Sequence, residues 1–145
     1  MKVTFVRSTT ERKTIYPNEG VGILKIKKVE TGGHPIAVVS GSEILIEDVQ
    51  AALDLMATVR YETDSDRLVI HKSLLSESFF DLKTRLAGEI LQKFVNYHVK
   101  AAIVGDFSGY TSRSLRDFIY ESNNGNDIFF LPTEEQAIEK LSRLK

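Results

Sequence analysis

The sequence predicts an α/β domain built on a mixed, mostly parallel sheet, with the element order ββαβαβαβα following an N-terminal extension. Three observations carry that expectation. Short, wholly apolar runs at Leu68-Val69-Ile70, Ala101-Ala102-Ile103-Val104 and Ile128-Phe129-Phe130-Leu131 have the composition of strands covered on both faces. Stretches with apolar residues at helical spacing separate them. The glycine turn Thr31-Gly32-Gly33-His34 stands before all of them, so only the opening hairpin is expected to be antiparallel.

Residues 1–22 form the extension, an edge strand or a poorly ordered segment, because a short alternating stretch at residues 2–7 gives way to polar residues and the turn cluster Pro17-Asn18-Glu19-Gly20. Residues 23–145 make one domain, with no repeat or Ser/Gly linker dividing them. Within it, residues 23–30 alternate as a strand, and Ile36-Ala37-Val38-Val39 completes the hairpin. Val49, Ala52, Leu53 and Met56 mark a first helix over residues 47–59, with Glu47 and Asp48 at the positive end of its dipole. The second helix runs through Phe79, Leu82, Leu86, Ala87, Ile90, Leu91 and Phe94 and carries Asp81, Arg85, Glu89 and Lys93 as successive pairs of opposite sign; Gly88 leaves room there for tight packing or a partner's approach. Leu115, Phe118 and Ile119 belong to a third helix, stopped by Asn123-Asn124-Gly125. Thr133 and Gln136 make a capping-box pattern that opens the last helix at Ala137, Ile138 and Leu141.

Composition narrows the function. The 145 residues are 42% hydrophobic and 27% charged with a formal net charge of -1, so the chain folds but has no positive field to gather nucleic acid. With no cysteine, thiolate metal sites and cysteine nucleophiles are excluded. No stretch approaches the roughly 18 apolar residues of a membrane span, and Thr4 and Arg7 interrupt the apolar start that a secretion signal needs, so a cytoplasmic protein is expected.

Ligands of open α/β sheets gather beyond the carboxyl ends of the strands. Here that edge places Gly105, Asp106, Ser108, Thr111, Ser112 and Arg113 in a small-residue loop running into a helix N-terminus, where free N–H groups attract anions. His71 and Lys72 leave a neighbouring strand at the same edge. The loop reads either as an anion or phosphorylated-metabolite site or as an ordinary junction in which Thr111 or Ser112 caps the helix and Gly109 permits the turn. A hydrolase would use His71 as base with Asp106 or Glu43. No phosphate-binding loop or dinucleotide fingerprint is present, the histidines 34, 71 and 98 lack metal-ligand spacing, and no cofactor, metal or catalytic residue is assigned.

Three longer runs bear a resemblance: Phe79-Phe80-Asp81-Leu82-Lys83-Thr84 with Leu86-Ala87-Gly88-Glu89-Ile90-Leu91-Gln92-Lys93-Phe94; Val104-Gly105-Asp106-Phe107-Ser108 with Thr111-Ser112 and the segment from Ser114 to Ser122; and Gln50 with Ala52-Leu53-Asp54-Leu55-Met56-Ala57. On these the chain resembles the bacterial family catalogued as domain of unknown function 4180, over roughly residues 26–141. The resemblance brings no activity or ligand. The element order is similar to that of the anti-sigma-factor antagonist (STAS) domains, in which a phosphorylated loop ahead of the second helix switches binding to a kinase partner. That similarity implies a non-enzymatic regulatory module binding a protein partner through Ser76, Ser78, Asp81, Thr84 and Arg85, of open oligomeric state, although the Asp-Ser-Ser-Gly signature of the switch is absent.

Overall fold

A computed structural model of the protein describes residues 5–16, 20–30 and 33–144, with side chains for 24–30 and 33–144. Among the described residues six strands form one sheet in sequential order: β1 (Phe5–Tyr16), β2 (Gly20–Glu30), β3 (Ile36–Gly41), β4 (Arg67–His71), β5 (Lys100–Val104) and β6 (Ile128–Leu131). β1 and β3 flank β2 antiparallel, and every later neighbour is parallel. The mixed sheet therefore has its antiparallel part at the start. β1 lies in the extension and pairs with β2 from Phe5–Glu30 to Tyr16–Gly20, although the alternating signal covers only its first residues. Thr31 and Gly32 of the expected turn lie outside the described residues.

Because side chains alternate along a strand, each apolar run supplies both faces of the sheet. Leu68, Ile70, Ala101, Ile103, Ile128 and Phe130 face a core shared with α1 (Val49–Thr63), α3 (Leu86–Asn96) and α4 (Arg113–Asn123). Val38, Val69, Ala102, Val104 and Phe129 face Ala137 and Leu141 of α5 (Glu134–Arg143), which covers the other side. No helix is long and apolar enough to cross a membrane among the described residues.

Thr133 caps where its pattern predicts, Ser112 and not Thr111 caps α4, and Asp48 adds a cap to α1. Asp48, Ser112 and Thr133 each accept a hydrogen bond from the backbone N–H three residues on, opening α1, α4 and α5. At the end of α3, Val99 N–H reaches the Phe94 carbonyl at 2.8 Å and His98 N–H the Val95 carbonyl at 3.2 Å. This is a Schellman closure with buried Val99 set against buried Phe94. His98 occupies the position that glycine favours, with φ 58°.

The expected long second helix is broken. One helical turn, α2 (Glu77–Phe80), ends at Asp81, a 3-10 turn follows over Leu82–Thr84, and Arg85 stands at φ 67° before α3 begins. The physical cause is Thr84, whose hydroxyl meets the carbonyls of Ser78 at 2.6 Å and Asp81 at 2.8 Å and accepts from Leu86 N–H. Phe79 and Phe80 are thereby both buried. Asp81 and Arg85 do not share a helix and the expected pairing between them does not form; Asp81 accepts from Lys83 N–H instead. Gly88 is not a packing glycine either, since nothing lies within 4 Å of where its Cβ would stand.

Two polar contacts close the margins. Arg67, 4% exposed, donates from Nη1 to the terminal carbonyls of α5 at Leu141 and, at 2.6 Å, Leu144. The Asn123 amide accepts from Phe130 N–H at 2.7 Å and donates to its carbonyl at 3.1 Å, occupying the outer edge of β6 as a further strand would.

Two stability measurements test this account. Arg67→Ala strands the α5 carbonyls and should cost about 3 kcal/mol in urea unfolding; a loss below about 1 kcal/mol would mean α5 is held by its apolar face alone. His98→Gly should relieve about 1 kcal/mol and raise Tm by roughly 2–4 °C. An unchanged or lower Tm would contradict the strain assigned to His98.

Candidate functional site

The carboxyl ends of β3 to β6 stop at Gly41, His71, Val104 and Leu131, and the segments that follow build the site. At the end of β4 the chain sends His71 and Lys72 to opposite sides. His71, in step with Val69, goes to the α5 side, where Nε2 lies 2.6 Å from Glu134 Oε2; Glu134 Oε1 accepts from Lys27 Nζ at 3.1 Å. The carboxylate partner of His71 is therefore Glu134, not the expected Asp106 or Glu43. Burial pushes the Glu134 carboxyl up, but the hydrogen bonds and charges of Lys27 and His71 outweigh it and leave the pKa lowered.

Lys72 begins a 3-10 turn on the opposite side. Its ammonium lies 4.7 Å from the ring centre of Tyr110, 5.6 Å from Phe80 and 5.9 Å from Phe107, and donates to the Asp106 carbonyl at 3.2 Å. Phe80 stacks on Tyr110 at 5.0 Å, and Phe107 meets Phe130 edge-on at 5.5 Å. Tyr110 Oη donates to the Glu77 carboxylate at 3.1 Å; burial first, and then Glu77, push the phenol up to about 12. Lys72, the pair Glu77 and Phe80, and the pair Phe107 and Tyr110 come from three separate segments, so no single spacing exposes the whole cluster in sequence. Two aromatic residues flanking Ser108-Gly109 in a small-residue loop are the one local signal.

Gly105 is required by that cluster. A Cβ there would stand 2.7 Å from Lys72 Cβ, so the glycine lets the lysine stem lie against the β5 end. Asp106 turns back on its own loop and accepts from Ser108 N–H at 2.9 Å and Ser108 Oγ at 2.6 Å. These bonds, the hydroxyl first, hold its pKa below the ordinary carboxylate value. Ser112 caps α4, while Thr111 and Arg113 are exposed. Gly105, Asp106, Phe107, Phe130, Leu131 and Pro132 line an open groove of about 350 Å³.

The expected partner surface is gathered on the turn beside the cluster. Ser76 and Ser78 hydroxyls are 2.6 Å apart, and Ser78 joins Thr84 through its carbonyl. Ser76 is 9% exposed, whereas Asp81, Lys83, Thr84 and Arg85 all face solvent.

The ionic cluster predicts a pH effect. A carboxyl whose folded pKa is lowered contributes stability above its unfolded value and loses it as the pH falls. Glu134→Gln should therefore cost up to about 1 kcal/mol at pH 7, a figure limited by partial exposure. The gap from the parent chain should close below the ordinary carboxylate value of 4.5. Urea unfolding of both chains from pH 7 to pH 3 measures it, and a constant gap would show that the carboxylate charge is not what matters.

No curated protein and no solved structure matches the chain. A family model does match, over residues 31–141, and so takes in all of the strand-end segments while leaving out β1 and β2. The chain belongs to the family described as domain of unknown function (DUF4180).

Proposed function

We propose that this chain is a non-enzymatic, cytoplasmic regulatory module of bacterial origin and STAS-like architecture, which binds a protein partner through the turn from Ser76 to Arg85. The observation that carries this reading is the contrast between the strand ends, where the chain's own Lys72 sits among the rings beside an open groove, and the polar turn next to them. Where open α/β sheets usually receive a small ligand, Phe80, Phe107, Tyr110 and the Lys72 head pack together. The adjoining turn has the opposite character. Its Phe79 and Phe80 are buried, its backbone is tied by Thr84, and Asp81, Lys83, Thr84 and Arg85 stand outward. Such pre-organisation lowers the ordering cost of association.

If the serine switch of STAS domains is carried over, Ser78 is the better position, because Ser76 is buried and would have to leave its site to accept a phosphate. The alternative of an anion sensor has the groove at Gly105 and the exposed Arg113 in its favour. Asp106 works against it by keeping a negative charge in the groove lining. For a hydrolase, His71 has an orienting carboxylate in Glu134, but no hydroxyl is hydrogen-bonded to it among the described residues.

The test is affinity capture from bacterial lysate with the parent chain and with Lys83→Glu/Arg85→Glu, leaving Thr84 untouched because it ties the turn. Loss of a captured protein from the double variant, at unchanged Tm, is expected. Identical capture by both chains would rule out this turn as the contact.

A further inference from the structure

We propose that Phe80, Phe107 and Tyr110 form a binding site for an alkylated ammonium group, and that Lys72 is its resident occupant. This goes beyond the partner reading and does not require it. Three rings gathered about one cation are an arrangement that attracts ammonium groups through the negative faces of the rings. Glu77 adds a full negative charge at the Tyr110 hydroxyl, and the Asp106 carbonyl adds an acceptor beside the lysine head. The surroundings select for positive charge.

The two ends of the lysine are held differently. Its stem is confined where Gly105 makes room for it, whereas the hydrogen bond from its head is exposed to solvent. The head can swing out and the stem cannot. An incoming trimethylammonium group gains the ring faces that Lys72 leaves, and it sheds its weaker hydration more readily than a primary ammonium does. The Lys72 head returns to water, where it is fully solvated. Binding to the parent chain is weakened by the fraction of time Lys72 spends in place, so removing the lysine charge should strengthen it.

The experiment titrates choline into the full chain and follows aromatic ring resonances by NMR, for the parent protein, Lys72→Gln and Lys72→Gln/Phe107→Ala. The uncharged isostere 3,3-dimethylbutan-1-ol and acetyl-trimethyllysine amide serve as further ligands. Lys72→Gln should bind choline about tenfold or more tightly than the parent chain and than it binds the isostere, and Phe107→Ala should abolish the gain. Preference for the lysine derivative would identify a modified side chain as the source of the ammonium, and preference for choline a free metabolite. Equal binding of choline and isostere, or no gain in Lys72→Gln, overturns the proposal. Should Lys72→Gln fail to fold, the parent chain still decides: the ring-shifted ε-methylene signal of Lys72 must move to its ordinary position as choline saturates, and a stationary signal would sink the idea.

Discussion

The structure depends on the docking of one short helix. α1, α3 and α4 share one face of the sheet, but on the other, among the described residues, α5 is the one helix that covers Val69, Ala102, Val104 and Phe129. Ten residues with buried Ala137 and Leu141 give a narrow apolar contact, and the chain supplements it at both ends. Lys27, His71 and Glu134 fix its first turn, while Arg67 takes the carbonyls of its last. Lys140 adds its ammonium over the Phe129 ring at 5.0 Å. A positive guanidinium at the helix C-terminus also meets the negative end of the dipole, so one buried charge meets both a hydrogen-bonding and an electrostatic requirement.

What was legible in the sequence follows from what hydrophobic patterning encodes. Leu68-Val69-Ile70 reads as a covered strand because each side chain meets a core, and Thr133 reads as a cap because its hydroxyl acts on a backbone group three residues away. Arg67 gave no such signal. A lone arginine at a strand start does not show which distant carbonyls it will reach, and these lie more than seventy residues along the chain. The break before α3 escaped for a related reason. Periodicity reports which side chains are buried, and the broken segment still buries Phe79, Leu86, Ala87 and Ile90. Only the Thr84 hydroxyl betrays the difference, and in sequence a threonine inside a helical pattern is unremarkable.

The same limit separates the parts of the candidate site. Asp106 with Ser108, and Ser76 with Ser78, are two residues apart and reachable by local rules. The aromatic group around Lys72 joins residues 72, 77, 80, 107 and 110, which only the parallel arrangement of β4 and β5 brings together. Its dependence on Gly105 shows how closely the two strand ends must approach.

The end of β4 also explains why His71 and the Gly105 loop do not come together. Adjacent residues of a strand point to opposite faces, and the chain continues that division at His71 and Lys72. His71 joins Glu134 and Lys27 on the α5 side; Lys72 joins Phe80, Phe107 and Tyr110 on the other. A base on one face and the Gly105 loop on the other have the strand end between them, so moving His71 toward Asp106 would require the α5 cluster to come apart. Each cation instead answers a local demand, one closing the narrow helix contact and the other meeting the negative faces of three rings. His71 thus ties the first turn of α5 to the sheet, while Lys72, one residue on, holds the rings of the Gly105 loop on the opposite face.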